Sequence, residues 1–301
     1  MLDKVHASTK EVNLHDDNIY TLGSIAQHNI AITCLPEYGT TTAATAAKDM
    51  MHKFQKVRFG LMVGIGGGIP STWNDIRLGD VVVSMPNETG GGVVQYDMGR
   101  REKDGFHRKG ALNKPPKLLR SAVIEMTSSF GLSKDIANLI TQAWKNISAD
   151  FDDDDEDNIW QYPGAKNDLL FKATFDHIDD NPTCTACVEQ GALVQRDPRR
   201  NTYPNIHYGN IASGNTVMKN AQERDELAKK EDVICFEMEA AGLMDSFPCL
   251  VIRGVSDYAD SHKNWKWQPY AAAVAAACAK KLLMLIPPQS VKELEPMSSS
   301  E

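Results

Sequence analysis

The stretch Cys235–Asp260 reads C-F-E-M-E-A-A-G-L-M-D-S-F-P-C-L-V-I-R-G-V-S-D-Y-A-D and decides the fold. It holds two short apolar runs that predict buried strands, with a short predicted helix between them. Carboxylates stand where these strands end, Glu237 and Glu239 after the first and Asp257 after the second. Because α/β proteins place their ligands at the ends of buried strands, this stretch is the candidate functional site.

Apolar runs alternate with helical patterns along most of the chain, which predicts a sheet with helices packed on its faces. The predicted strands are 57–63, 80–84, 92–96, 206–212, 233–236 and 249–255, after a hairpin at 18–35 that turns at Gln27-His28-Asn29. The predicted helices are 43–54, capped by a threonine, and 118–130, 134–144, 216–229, 238–246 and 269–285. The predicted domain spans 18–286, with an irregular start at 1–17, an insertion at about 148–192 and a disordered tail at 287–301.

The composition, 42% hydrophobic and 24% charged over 301 residues, is typical of a globular protein. Seven of the 40 acidic residues lie in the run 150–157, and the remaining 33 nearly balance the 32 basic residues. The body of the domain is therefore close to neutral, which predicts neither a nucleic-acid partner nor a membrane partner. The sequence shows no membrane span and no secretory signal, so we expect a cytoplasmic protein.

The cysteines predict a reduced protein without a metal centre. Cys184 and Cys187 form a C-x-x-C in a polar loop, but a structural zinc needs four ligands. His177 or His207 is a candidate to complete such a site, and a reduced pair is the favoured interpretation. The other cysteines lie in apolar segments and are predicted to be buried, namely Cys34, Cys235, Cys249 and Cys278.

A glycine-rich stretch, G-I-G-G-G-I-P at 64–70, follows the first predicted strand of the domain body. A dinucleotide-binding loop does not fit, because Ile69 stands where the third glycine belongs and no helix follows Pro70. The glycines predict either a close approach of the backbone to a ligand or a tight turn.

The carboxylates of the first stretch suit a substrate that has hydroxyls to bind and a proton to receive. A carboxylate such as that of Glu239 can accept hydrogen bonds from both hydroxyls of a ribose cis-diol, and a buried Asp257 can act as a general acid. Arg253 either orients Asp257 or packs its stem on the sheet edge. An alternative for Glu237 and Glu239 is an acidic first helical turn that complements the helix dipole.

Several blocks of this sequence together resemble one known superfamily. Besides 236–242 and 253–257 they are V-G-I-G-G-G-I-P at 63–70, D-I-R-L-G-D-V-V-V-S at 75–84, G-G-V-V-Q-Y-D at 91–97, H-Y-G-N-I-A-S-G-N at 207–215 and S-D-Y-A-D-S-H-K-N at 256–264. The chain from about 18 to 285 closely resembles the nucleoside phosphorylase and nucleosidase superfamily, and within it a fungal branch of stand-alone and immune-receptor-fused domains.

This resemblance implies a three-layer α/β sandwich in which helices flank a central mixed, partly barrel-like sheet. It implies cleavage of the N-glycosidic bond of a purine nucleoside or nucleotide, with water or inorganic phosphate as co-substrate. The resemblance implies no cofactor and no metal, and it implies a homo-oligomer.

The resemblance also assigns roles to the opening stretch. Met238 and Glu239 are similar to the residues that pack on the sugar and bind its 2′ and 3′ hydroxyls, and Glu237 to a second acid that supports the site. Asp257 resembles the acid that protonates or hydrogen-bonds purine N7. Arg253 and Ser256 are expected to contact the substrate.

Other positions complete the predicted pocket. Val217 and Met218 resemble an apolar pair that flanks the base, although core contacts of a helix explain them nearly as well. The remaining predicted residues line the side where phosphate or water binds, namely Gly64, Gly66, Thr41 and Thr42.

One departure from the family pattern favours hydrolysis over phosphorolysis. The phosphorylases carry an arginine and a serine for phosphate, and Met62 and Ile65 stand at the corresponding places. Apolar side chains cannot bind a phosphate dianion. Arg58 and Arg77 are candidates to replace the arginine from another position.

A second departure concerns the start of the domain, where the family has an apolar strand with a functional glycine or acid. Residues 1–17 do not resemble that strand, and Glu11, Asp16 and Asp17 are candidates for its acid by charge alone. Loss of this strand would expose a sheet edge. The alternative function is therefore a catalytically impaired domain that senses nucleosides or takes part in signalling.

Overall fold

The computed structural model describes residues 1–7, 16–148, 158–178, 183–263 and 265–297. In this part of the chain the strands are β1 Lys4–Val5, β2 Tyr20–Ile25, β3 His28–Thr33, β4 Gly60–Gly68, β5 Val81–Ser84, β6 Val93–Gln95, β7 Gly99–Glu102, β8 Gly105–Arg108, β9 Ile206–Ser213, β10 Val233–Glu237 and β11 Cys249–Asp257. The α-helices are α1 Thr40–Lys53, α2 Lys117–Ser128, α3 Leu132–Ser148, α4 Thr185–Glu189, α5 Ala221–Glu231, α6 Gln268–Leu285 and α7 Pro288–Lys292. The acidic run 150–157 and Glu11 lie outside the described residues. No helix among the described residues is both long and apolar enough to cross a membrane.

Six strands form the main sheet in the order β10-β4-β11-β5-β9-β6, and β10 also pairs with β9. This additional pairing closes five of the strands into a partial barrel. The sheet is mixed, because β4 runs parallel to β11 while β5 runs antiparallel to it. The ends of β4, β10 and β11 thereby meet at one rim.

The core surrounds β11, whose residues Cys249 to Ser256 are all buried. Helix α6 packs on β11 and β4, α2 and α3 pack on α6, and α5 packs on β10. The alanine-rich sequence of α6 lets its backbone lie directly against the sheet: a Cβ added to Gly254 would come within 1.9 Å of the Ala271 carbonyl oxygen. Buried strands of this kind read as continuous apolar runs, which is why their positions can be read from sequence.

A small separate sheet holds the start of the chain. β2 and β3 form the predicted hairpin, with its turn at Ala26 and Gln27 rather than at the three residues predicted. β1 pairs with β2, so Lys4 and Val5, predicted to be irregular, form a strand outside the barrel. Within the described residues, β10 covers β4 only at Gly67 and Gly68, and the edge of β4 before them carries no strand partner.

The glycines that predicted a turn instead lie within the extended strand β4. Gly66 and Gly67 are required there by close neighbours, because an added Cβ would lie 2.8 Å from the Phe236 carbonyl oxygen and from the Ala259 Cβ, respectively. A glycine-rich strand of this kind marks a close approach of other backbone segments. The predicted tight turn is therefore wrong, and the predicted approach of this backbone to a ligand stays a prediction.

Three predictions about helices also differ from the structure. The segment 238–246 contains only a 3-10 turn at Ala240–Gly242 in place of the predicted helix. Helix α5 begins at Ala221, where the Asn220 side chain accepts hydrogen bonds from two backbone amides. In the predicted disordered tail, α7 forms and the backbone amide of Met297 donates to the carbonyl of Val57.

The close contact between α6 and β11 predicts that one methyl group added to β11 lowers the stability of the protein. Gly254→Ala should lower the free energy of unfolding by about 3 kcal/mol, because its Cβ meets the Ala271 backbone, which cannot rotate away. The matched control is Gly209→Ala on β9, where the nearest atom is the flexible Ile234 Cδ1 at 3.0 Å. Urea unfolding of both variants checks this, and equal losses would show that the α6 contact is not limiting.

Candidate active site

Strand register brings the candidate residues to one rim of the barrel. Arg253 and Asp257 of β11 lie opposite Gly64 and Gly67 of β4, and β10 approaches β4 at the same end. The carboxylates that follow β10 and end β11 therefore face a common glycine-lined edge, as the sequence predicts from strand ends.

A buried arginine, Arg253, links two of the three carboxylates. Its Nη2 donates to Glu237 Oε2 and, at 2.9 Å, to Glu239 Oε2. The guanidinium crosses β4 at Gly64, where an added Cβ would lie 2.3 Å from Nη1. Arg253 thus neither orients Asp257 nor packs its stem on the sheet edge, because it lies on an inner strand and holds the two glutamates. Its predicted contact with the substrate stays a prediction.

Glu237 is committed entirely to the protein. Its side chain is fully buried, and its carboxylate accepts hydrogen bonds from the backbone amides of Glu239 at 3.0 Å and Ala240 at 3.1 Å. These bonds satisfy the first backbone amides of the 3-10 turn that follows β10. The described partners of Glu237 are therefore protein groups, and its predicted substrate contact and its predicted support of the site both stay predictions.

Glu239 is the more accessible of the two glutamates, with a side chain that is 12% exposed. Burial raises the pKa of Glu239, the Arg253 guanidinium opposes this, and the charge of Glu237 adds to it. One cation serving two carboxylates leaves a net negative charge at this place. The Met238 side chain beside it is half-buried.

Asp257 is surrounded by hydrogen-bond donors. Its Oδ1 accepts from the backbone amide of Ala259 at 2.8 Å and from Lys263 Nζ at 2.5 Å. The hydroxyl of Ser256 lies 3.1 Å from Oδ2 and 3.4 Å from the carbonyl oxygen of Gly66. Ser256 therefore connects the acid to the glycine strand.

Sequence reasoning missed Lys263 and Asn215. Lys263 lies in the block S-D-Y-A-D-S-H-K-N, six residues after Asp257, but nothing in that spacing predicts that the loop folds back. The Asn215 side chain accepts hydrogen bonds from the Thr40 amide at 3.0 Å and the Thr40 hydroxyl at 3.1 Å, and so begins α1. The predicted threonine cap is wrong, because the cap comes from another segment.

The first turn of α1 carries Thr41 and Thr42 and lies against the turn that follows Glu239. Contact is close, because an added Cβ on Gly242 would lie 1.9 Å from the Thr40 carbonyl oxygen. Thr41 is exposed and Thr42 half-buried. Both threonines therefore adjoin the candidate site, and their predicted role in it stays a prediction.

The two apolar residues predicted to flank the base differ in solvent exposure. Val217 is 44% exposed, whereas Met218 is 7% exposed and packs in a cluster with Tyr96, Phe236 and Ala259. Met218 thus follows the alternative interpretation, a core contact. Only Val217 is open to a ligand.

The candidate phosphate-binding arginines are not beside the glycines. Arg58 precedes β4, about 20 Å from Gly64 along an extended strand of 3.3 Å per residue. Arg77 is bonded to Asp75 at 2.8 Å and to the Asp197 carbonyl at 2.6 Å. The cation that does lie at Gly64, Arg253, is already paired with two glutamates.

Of the acids predicted near the start of the chain, the structure describes Asp16 and Asp17, and these two lie away from this rim. Asp16 accepts hydrogen bonds from Asn18 and from the Tyr20 hydroxyl and pairs with Lys53 at the far end of α1. Asp17 is exposed. The predicted first-strand acid therefore has no counterpart among the described residues at this rim.

The cysteine pair has no zinc-binding arrangement in the described residues. Cys187 is buried beside Phe171, and burial raises the pKa of the Cys184 thiol to about 11. His207 bonds to Asp80 at 2.9 Å instead of completing a metal site.

The one group of three close metal-type ligands found among the described residues is exposed, namely Glu102, Asp104 and His107. Cys34, predicted to be buried, is exposed.

The two glutamates should differ in their effect on stability. Glu237→Gln should lower the free energy of unfolding by about 3 kcal/mol, because it removes the buried partner of Arg253. Glu239→Gln leaves that partner in place and should cost roughly half of this or less. Urea unfolding at neutral pH compares the two, and an equal or larger loss in Glu239→Gln would contradict the assignment.

The raised pKa of Glu239 predicts a pH dependence. A carboxyl whose pKa is raised binds more protons in the folded state, so its contribution to stability falls as pH rises from 4.5 through the folded pKa. The wild type should therefore lose stability relative to Glu239→Gln over that range. Unfolding free energies of both proteins measured in steps above pH 4.5 check the sign, and a constant difference would contradict it.

Comparison with known proteins addresses the fold. No protein-family model matches the chain. A nucleotide-binding leucine-rich repeat (NLR)-like protein of Hyaloscypha variabilis is 50% identical over 292 residues, which are 97% of this chain and 28% of that protein. The chain thus spans less than a third of this relative.

Solved structures of low sequence identity share the architecture. The 5′-methylthioadenosine/S-adenosylhomocysteine nucleosidase of S. pneumoniae is 17% identical, with a TM-score of 0.55 over 95% of this chain and 92% of that one. Futalosine hydrolase of Helicobacter pylori is 16% identical, with a TM-score of 0.52 over 94% and 88%. The corresponding nucleosidase of Neisseria meningitidis is 17% identical, with a TM-score of 0.52 over 94% and 90%. The predicted fold class is confirmed: the chain has the nucleoside phosphorylase/nucleosidase fold, with helices flanking a mixed, partly barrel-like sheet.

Proposed function

We propose that this domain cleaves the N-glycosidic bond of a purine nucleoside or nucleotide by hydrolysis. The observation that carries the proposal is that two carboxylates with different cationic partners lie at one rim of the barrel. Glu239 is held by Arg253 beside Gly64, and Asp257 is held by Lys263 beside Gly67. The solved structures of similar fold include nucleosidases, which supports glycosidic cleavage in general.

The chemistry of the reaction matches these two groups. As the bond between C1′ and N9 breaks, the sugar becomes positively charged and the base becomes negatively charged. Glu239 binds the ribose hydroxyls and places negative charge near the sugar. Asp257 gives a proton to the base as it leaves.

Hydrolysis is favoured because, among the described residues, the cations at the glycine edge, Arg253 and Lys263, are both paired with carboxylates. Met62 and Ile65 of β4 are apolar, and Arg253 is already neutralised by Glu237 and Glu239. A phosphate dianion needs charged or multiple hydrogen-bond donors, whereas water does not. Water is therefore the proposed co-substrate.

A second candidate function rests on the relative in Hyaloscypha variabilis. That protein is described as NLR-like, and this chain matches 28% of its length. A nucleoside-sensing or signalling domain would keep the pocket but would not turn over its ligand. Nucleoside binding in calorimetry without release of free base would support this function over the enzyme.

The reaction predicts release of free purine base that is independent of phosphate. Chromatography of reactions with adenosine, inosine and their 5′-substituted forms should show base release at equal rates with and without inorganic phosphate. Asp257→Asn should lower kcat about a hundredfold or more, because general acid catalysis contributes factors of this size.

The matched control is Asp135→Asn, which removes a carboxylate from a lysine pair at 2.8 Å on the outer helices. This variant should keep wild-type activity. Equal rates of base release in the wild type and Asp257→Asn would contradict the assignment of the acid, and a requirement for phosphate would contradict hydrolysis.

A further inference from the structure

Lys263 makes an ion pair with the candidate acid that neither the fold nor the proposed reaction requires by itself. Its Nζ lies 2.5 Å from Asp257 Oδ1, and the two side chains are 25% and 14% exposed. The pair is therefore partly exposed to solvent. Partly exposed ion pairs contribute little to stability, so stability alone does not account for it.

The loop that carries Lys263 is fixed by other contacts. Its His262 ring stacks on Phe171 at 3.9 Å, and the backbone amide of His262 donates to Asp260 Oδ1 at 2.9 Å. The Ser261 hydroxyl accepts a hydrogen bond from the His177 amide at 3.0 Å. The fold therefore places the lysine on the acid, and the lysine is not what holds the loop.

The two carboxyl oxygens of Asp257 have different hydrogen-bond partners. Oδ1 accepts from both Lys263 Nζ and the Ala259 amide, so its lone pairs are occupied by two donors. Among the described residues, only the Ser256 hydroxyl donates to Oδ2; it lies 3.1 Å away and has the Gly66 carbonyl oxygen as a second partner. A proton on Asp257 therefore belongs on Oδ2, because a proton on Oδ1 would face two donors.

We propose that Lys263 is a positioning residue that makes Oδ2 of Asp257 the oxygen that protonates the leaving base. The inference rests on the proposed function and deepens it. In the step, the electron pair of the C1′–N9 bond moves onto the purine, the Oδ2–H bond breaks, and an N7–H bond forms, which leaves an oxocarbenium ion at C1′. Water adds to C1′ to form the new C–O bond, and the proton that the water loses goes to solvent. Asp257 becomes a carboxylate, and the Lys263 ammonium at Oδ1 stabilises the charge that it acquires.

The experiment measures cleavage of two substrates by variants of Lys263. Lys263→Met should lower kcat for a purine nucleoside about 10- to 100-fold with little change in KM, since one hydrogen bond to a charged group is lost. Lys263→Arg should recover part of the rate because the cation is retained. Lys280→Met is the matched control, as Lys280 pairs with Asp3 at the same 2.5 Å distance outside the site.

The second substrate, 4-nitrophenyl β-D-ribofuranoside, distinguishes positioning from a structural role. Its nitrophenolate leaves without a proton, so Lys263→Met and Asp257→Asn should cleave it nearly as fast as the wild type. Equal losses on both substrates, or wild-type kcat of Lys263→Met on the nucleoside, would overturn the inference while leaving the proposed function intact. A wild type that cleaves neither substrate would instead refute the proposed function.

Discussion

The buried guanidinium of Arg253 is the interaction on which the candidate site depends. A buried cation needs partners, and this one lies between Glu237 and Glu239 with its own backbone in the centre of the sheet. The arrangement requires a glycine on the neighbouring strand, because any side chain at Gly64 would occupy the place of the guanidinium. The glycine-rich strand, the two glutamates and the arginine are therefore parts of one constraint.

The same requirement for small residues recurs wherever backbones meet around the rim. Gly242 lies against the Thr40 backbone, and Gly67 lies against Ala259, so the turn after β10 and the loop after β11 are both held at close range. Such contacts fix the site through backbone atoms that have no rotamers to change. A site built this way is already organised before a ligand arrives, which lowers the cost of binding.

The sequence predicted the six strands of the main sheet, the β2–β3 hairpin, the long helix α6 and the strand-end carboxylates, because buried strands and an alanine-rich helix leave periodic local signals. It did not predict β1, β7 or β8. It failed where a distant segment replaces a local signal. Of the two interpretations of the glycines, the tight turn is wrong, because β10 and the loop after β11 pack against Gly66 and Gly67 within a strand. Asn215 caps α1 from far along the chain, and Lys263 reaches Asp257 only because its loop is packed on Phe171. No local sequence pattern predicts these contacts.

The rim carries its charges in two unlike groups. The group at Gly64 has two carboxylates and one guanidinium, and so keeps a negative charge that Glu239 presents. The group at Gly67 has one carboxyl group and one ammonium, and in the proposed reaction it becomes a neutral ion pair once Asp257 has given its proton. In the proposed reaction the sugar becomes positive and the base negative, so an anionic group suits the sugar and an acid backed by a cation suits the base. In the proposed function, this unequal distribution of cations separates the roles of the two carboxyl groups: Glu239 would stabilise charge on the sugar, and Asp257 would supply the proton.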